Sequence, residues 1–597
     1  MILVQRTILA STVLALSVGC SGSVDPAPAG GASAVPLNPG TAAAPGVSGA
    51  GVAPGAQVPG AQVSAGSNAV PPAAAPSGVV EPGGVIAPAA APGCAAPEPL
   101  ARRLRALNGA QYRNTLASVL DVEASRNPFL LSDKSSQFST RASLFRLDVS
   151  TTEAIRENAR QVSQVVAANA LESEECLQEA SPACVRGWVE TLGRQLYREP
   201  LGDEQAEKLT ALFKNAQDQS EPLEGARLVV RAMLSSPRFL FRKEVGQLDA
   251  ATGQYVLTPH EVASALAYTL TDAPPDEALS ADADAGMAPE ELIQAHATRL
   301  IQADADGRRG MLSFLQEFFA VQGFDNVRKD TELYPEFDDG LRSRLMQDFS
   351  RTADGILTSD APTFQQMMTG KEYAIGEGTA DLLGWNSDQA ERLTSVPETE
   401  RSGLMTHPVV LSTYAHETQS NPVARGHFVS RNLLCVTVPN APADVEFPKD
   451  DGIERTLREV LETKHSVAAC AGCHALMDPM GFPFEIFDAV GRLRDNDNGF
   501  AIDATGGIAG TSEIDGPVEN LGEMMGKIGA SPRAQTCFAE QALQYVAGLG
   551  GDEDLTCRAN PLAEKFIGNS GNVPQLFVDL LASNQFLRRT EAPVQQP

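Results

Sequence analysis

From about residue 100 onward, apolar residues recur at three- and four-residue spacing, and this periodicity limits the chain to packed helices. Residues 102–120 set Leu104, Leu107, Tyr112, Leu116 and Leu120 near one face, with Asn108-Gly109 as a candidate break. Ile155, Ala159, Val162 and Val166 repeat the stripe in 153–171, and Val185, Trp188, Val189, Leu192 and Leu196 repeat it in 185–197. Thr258, Pro259 and Glu261 read as an N-cap, a first-turn proline and the third residue of a capping box. Further helices are predicted over 289–303, 308–322 and 339–357. The plainest role of such stripes is core packing. Alternating strands are scarce; the exception is "RDNDNGFAIDATG", where Asn498-Gly499 signals a hairpin turn ahead of Phe500 and Ile502. In the same stretch Asp495 and Asp497 lack the spacing of a calcium loop, which favours the hairpin. The fold class predicted is mainly α: several small helical domains in tandem.

The N-terminus is of a different kind. Arg6 precedes a short apolar run ending in small residues, which reads as a secretion signal. The end of that run, "LSVGC", resembles a bacterial lipoprotein signal in which Cys20 is lipidated and becomes the mature terminus. Ser17 stands where such signals usually carry leucine, and Leu16 is one step earlier. The competing reading is ordinary cleavage and a soluble periplasmic protein. Residues 21–93 are Ala, Pro, Gly, Val and Ser almost throughout, without an aromatic. Such a segment has too little large apolar surface to offset its ordering entropy. A disordered tether is therefore expected up to residue 97, with an r.m.s. span on the order of 50 Å. No other apolar run approaches the roughly 20 residues of a membrane helix. The net charge of −29 argues against nucleic acid or an anionic surface as partner.

The chemistry concentrates in "CAGCHALMDPMGFPFEIFDAVGRLR", residues 470–494. C-x-x-C-H is the haem c attachment pattern. Cys470 and Cys473 would add across the vinyl groups and His474 would ligate the iron. Phe482, Phe484, Ile486 and Phe487 are candidates for an apolar slot, and Arg492 and Arg494 for partners of the propionates. For the sixth ligand, His416 and Met405 are the candidates. A redox dithiol lacks the βαβ setting of a thioredoxin-like site. Zinc would need two further ligands at finger-like spacing, and only His465 is near. No Gly-rich phosphate loop, G-x-S-x-G elbow or H-E-x-x-H motif occurs, and no nucleophile–base pair announces a hydrolase. Whether the chain is an enzyme stays open.

Nine cysteines are present. Setting aside Cys20, Cys470 and Cys473 leaves six. Cys176 with Cys184 and Cys537 with Cys557 have easily bridged spacings, which leaves Cys94 with Cys435. Six cysteines allow fifteen connectivities, so spacing does not fix the pairing.

Several long strings carry a resemblance. "ALNGAQYRNTLASVLDV", "LGRQLYREPLGDEQ" with "AMLSSPRFLFRKE", "LTPHEVASALAYTLTDAPPDEAL", "RSGLMTHPVVLS" with "SNPVARGHFVSRNLLC", the C-x-x-C-H segment and "CFAEQALQYVAGLGGDEDLTC" follow one another over residues ~100–585. Together they resemble multidomain exported proteins of planctomycetes and myxobacteria. These are assembled from planctomycete-specific domains of unknown function plus a cytochrome-like domain. After the signal at 1–20 and the tether at 21–97, both read from the residues themselves, the resemblance implies helical domains at 98–172, 173–246 and 247–392. A cytochrome-c-like domain with a short β-hairpin follows at 393–508, then a helical domain at 509–590. It also supports one covalent haem c and supplies no reaction. The expectation is an extracytoplasmic lipoprotein of a Gram-negative outer membrane or cell surface, acting in electron transfer or haem-dependent redox chemistry. It would be anchored to the membrane by its N-terminal lipid and would meet an unidentified redox partner or extracellular substrate. The alternative is a haem-free binding or scaffold lipoprotein with a structural Cys470–Cys473 disulfide.

Overall fold

The computed structural model describes residues 98–123, 137–142, 148–218, 221–385, 393–398, 400–439, 455–550 and 555–591. The signal with Cys20, the tether to residue 97 and Cys94 lie outside them. The described chain is mainly α, with 24 α-helices and only short strands.

Local signals set most helix starts. Thr258 caps the helix Pro259–Thr271, and Glu261 reaches back to the cap N–H, completing the expected capping box. The stripes at 153–171, 185–197, 289–303 and 339–357 become the helices Val149–Ser173, Pro182–Tyr197, Pro289–Gln302 and Asp339–Leu357. The 308–322 stripe stops earlier, as Arg309–Phe318. The stripe at 102–120 divides. Asn108 is extended and its side chain accepts from the Gln111 N–H, so the helix begins at Gly109 and runs to Leu120. Upstream, Arg103–Ala106 is a strand paired antiparallel with Phe241–Glu244, and Leu104 is 53% exposed rather than packed. Residues 496–501 form the expected hairpin. Asp497 pairs with Phe500, and Asn498 and Gly499 both take positive φ, 51° and 84°, as a two-residue primed turn requires.

The five segments expected from sequence pack around two large cores. Residues from Leu107 to Leu240, joined by Tyr268, form one. The other runs from Leu257 to Leu587 and takes in Leu100 and Phe138. The described chain's two ends meet in one sheet: Leu100–Ala101 lies parallel to Arg588–Thr590, which pairs antiparallel with Gln254–Val256 and through it with Gln247–Asp249. A buried ion cluster fastens this junction. Glu244 is 1% exposed and meets Arg103 at 2.8 Å and Arg589 at 3.0 Å. Burial opposes its charge, but Arg103, Arg589, Arg105 and Arg242 outweigh it and hold the carboxyl well below the usual range. No helix among the described residues is long and apolar enough to cross a membrane.

Two disulfides have both cysteines among the described residues. Cys176–Cys184 is the expected pair. The second joins Cys435 to Cys537, so the expected Cys537–Cys557 and Cys94–Cys435 bridges are not formed. Sequence spacing misleads here because the helix Pro532–Ala547 carries Cys537 toward the 430–435 segment, where Gln541 also donates to the Asn432 carbonyl. Cys557 is disulfide-bonded as well.

Candidate functional site

The C-x-x-C-H segment begins with a break. Thr456 caps the helix Leu457–His465 through a capping box with Glu459. That helix ends at His465, and a second, Ala468–His474, starts after Val467, which is extended. In one continuous helix, residues 465 and 474 would be nine apart and on opposite faces. The break folds them together instead, and their rings stack at 3.4 Å between centroids with an interplanar angle of 23°.

Asp478 joins the pair. Its Oδ2 lies 2.5 Å from His465 Nδ1 and its Oδ1 lies 2.9 Å from His474 Nδ1. A carboxylate accepts, so each ring donates from Nδ1, and each Nε2 keeps its lone pair. Asp478 is 6% exposed, while the two imidazoles are partly buried. The three residues bring one potential ligand atom each to within 4.8 Å of the others.

Backbone packing fixes Asp478. The short helix Asp478–Gly481 lies against Pro422–Phe428 with almost no gap. A Cβ on Gly481 would sit 1.9 Å from the Pro422 carbonyl oxygen, and one on Gly426 would sit 2.0 Å from that of Met477. Only glycine permits this approach. Ser430 adds a hydrogen bond to the Leu476 carbonyl. Beneath the helix pair, Arg425 is 1% exposed and donates to the carbonyls of Phe484, Phe487, Leu411 and Asp488 at 2.9–3.2 Å. Burial pushes its guanidinium down to about 10. Glu485, held by Ser420 and Arg494, is pushed up by burial, with Arg425 and Arg494 opposing. The "DPMGFPFEIFDAVGRLR" segment is thus wound around a buried arginine.

Cys470 and Cys473 are both free and partly buried. The Cys470–Cys473 disulfide of the alternative reading is not formed. Cys473 Sγ lies 3.8 Å from the Pro439 carbonyl. The expected slot and propionate residues are committed elsewhere. Phe482, Phe484 and Phe487 are at most 5% exposed, packed in the interior. Arg401 lies over the Phe487 ring at 4.9 Å, and Arg458 over Phe482 at 4.7 Å. Arg492 pairs with Glu336, and Arg494 pairs with Glu485 and Asp497. Met405 is 1% exposed, inside the main core. His416 is exposed, with its carbonyl accepting from Lys329. Among the described residues, the side-chain partners of His474 are Asp478 and His465. Asp478 was missed in the sequence although it stands four residues after His474, a spacing that could have signalled that pair; its meeting with His465 depends on the break at Ser466–Val467.

Three protein families match this chain one after another. Residues 184–244 match PSD5, a protein of unknown function (DUF1595), and residues 257–384 match PSD4, a protein of unknown function (DUF1592). Residues 401–497 match PSCyt3, a protein of unknown function (DUF1588). The chain is a multidomain protein carrying domains of these planctomycete-type families. The PSCyt3 match takes in Cys470, Cys473, His474 and Asp478. No curated protein and no solved structure matches.

Proposed function

We propose that the PSCyt3-like segment carries one covalent haem c, attached through Cys470 and Cys473 with His474 as proximal ligand. The observation that carries this reading is the pair of unbonded thiols on one short helix with His474 at its end. The attachment residues fit the group: both sulfurs are free to form thioethers, and His474 Nε2 is free for iron because Nδ1 is taken by Asp478. The apolar lining expected from sequence does not take part, since those phenylalanines are buried in the protein's own core. The family's cytochrome-like name gives further support.

When bound, the haem supplies one-electron chemistry. The chain does the rest. Asp478 fixes the tautomer and ring angle of His474, the usual work of a carboxylate behind a metal-bound histidine. His465 stacks on the same ring and holds the other carboxylate oxygen, which limits how far either can turn. We assign the protein to electron transfer or haem-dependent redox chemistry outside the cytoplasm, tethered at the outer membrane or cell surface by lipid on Cys20. Its partner is then a redox protein or extracellular substrate, and its acidity argues against nucleic acid.

The test is export from a host with haem-maturation machinery, followed by a denaturing gel stained for haem peroxidase activity, beside Cys473→Ala. A wild-type band lost in the variant is expected. The absence of any band would refute covalent attachment.

A further inference from the structure

We infer that His465, His474 and Asp478 form a binding site for a divalent transition-metal ion in the haem-free chain. Three observations carry it. Two imidazoles and one carboxylate from three separate short elements converge with ligand atoms within 4.8 Å of one another. The carboxylate is nearly buried, and among the described residues its side-chain partners are the two imidazoles. Buried carboxylates are held by paired, hydrogen-bonded groups or by metal ions, and a cation among these three groups would supply the opposite charge. The rings also reach the carboxylate at 2.5 and 2.9 Å, close to the roughly 3.3 Å that separates ligand atoms around a tetrahedral ion with 2.0–2.1 Å bonds. Modest opening admits an ion.

The donor set selects its occupant. Two nitrogens and one oxygen suit zinc, cobalt or iron(II) rather than magnesium or calcium, and three protein ligands leave a position for water. Binding is a proton shift and a substitution. Each imidazole moves its proton from Nδ1 to Nε2, the two Nδ1 lone pairs and one carboxylate oxygen turn to the cation, and water leaves the ion. No redox step is involved. The same shift places a proton on His474 Nε2, so an ion here and an iron bond at that atom exclude each other. The site belongs to the haem-free chain and needs no haem in order to form.

The experiment uses the full chain exported from a host without haem-maturation machinery, stripped with chelator and titrated with Co²⁺ as probe, then with Zn²⁺ in competition. The expected result is one visible d–d absorption band saturating at one equivalent and removed by Zn²⁺, with affinity reduced at least tenfold in His465→Ala and in Asp478→Asn. Thermal unfolding of the metal-free variants checks that they fold. His260→Ala, distant from the trio in sequence and paired to Asp284, should bind as wild type. Absence of saturable binding in the wild type would overturn the inference. So would binding that survives His465→Ala but is lost in the Cys470→Ser, Cys473→Ser variant, since the thiols would then be the ligands. The haem stain on matured protein is a separate readout, so either claim can fail alone.

Discussion

The Cys435–Cys537 bridge makes a quantitative prediction. It closes a loop with a sequence separation of 102, whereas Cys176–Cys184 closes one of 8. In the chain-entropy account, a loop near 100 residues is worth about 4.7 kcal/mol at 25 °C, and the same relation gives about 2.5 kcal/mol for the short one. The long loop encloses the entire C-x-x-C-H segment, with its Arg425-dependent winding, and ties it to the helix Pro532–Ala547. The perturbation is the paired replacement of both cysteines by alanine, made separately for each bridge in the exported full chain. Urea unfolding, followed by far-ultraviolet circular dichroism and extrapolated to water, reads the difference. The Cys435→Ala, Cys537→Ala variant should lose more stability than Cys176→Ala, Cys184→Ala, by about 2 kcal/mol. A loss equal to or smaller than that of the short-loop variant would refute the reasoning.

Other expectations follow from single sites. Gly481→Ala should destabilise the segment by several-fold more than Gly472→Ala, because a Cβ at 481 meets a backbone carbonyl at 1.9 Å while one at 472 meets nothing within 4 Å; limited proteolysis of the 455–494 region reads it. Arg425→Ala removes a buried donor shared by four carbonyls and should cost about 3–5 kcal/mol in the same urea assay. Burial pushes Glu317 up to about 7 from its usual 4.5. The folded state therefore holds that proton more tightly than the unfolded state, and the site's contribution to stability falls as pH rises from about 4.5 to about 7, then stays level. Glu317→Gln should flatten that part of the stability–pH curve. Non-reducing peptide mapping should find Cys557 cross-linked, and to none of Cys435, Cys470, Cys473 or Cys537.

What the sequence made legible was local. The Thr258 capping box, the Asn498-Gly499 turn and most of the helical stripes are set by neighbours a few residues away, and they appear where expected. The strand at Arg103–Ala106 was hidden because its partner, Phe241–Glu244, is more than 130 residues distant. Cys435 and Cys537 were mispaired for the same reason. The C-x-x-C-H triplet was plain, but the residue behind it was not. Asp478 meets His474 four residues away, but it meets His465 only because a two-residue break turns that ring back, and its own place is set where Gly426 and Gly481 let two helices touch. The phenylalanines after the motif look like a cofactor slot by composition. In the fold they are drawn inward by Arg425 and fill the protein's own interior.

Mass spectrometry of the tryptic peptide between Lys464 and Arg492 tests the central claim most directly. It contains both thiols, both stacked histidines and Asp478. From protein matured in a haem-competent host, the account predicts a single peptide carrying one haem, with neither cysteine open to alkylation. Recovery of that peptide without haem, both thiols alkylated before any reduction, would contradict it.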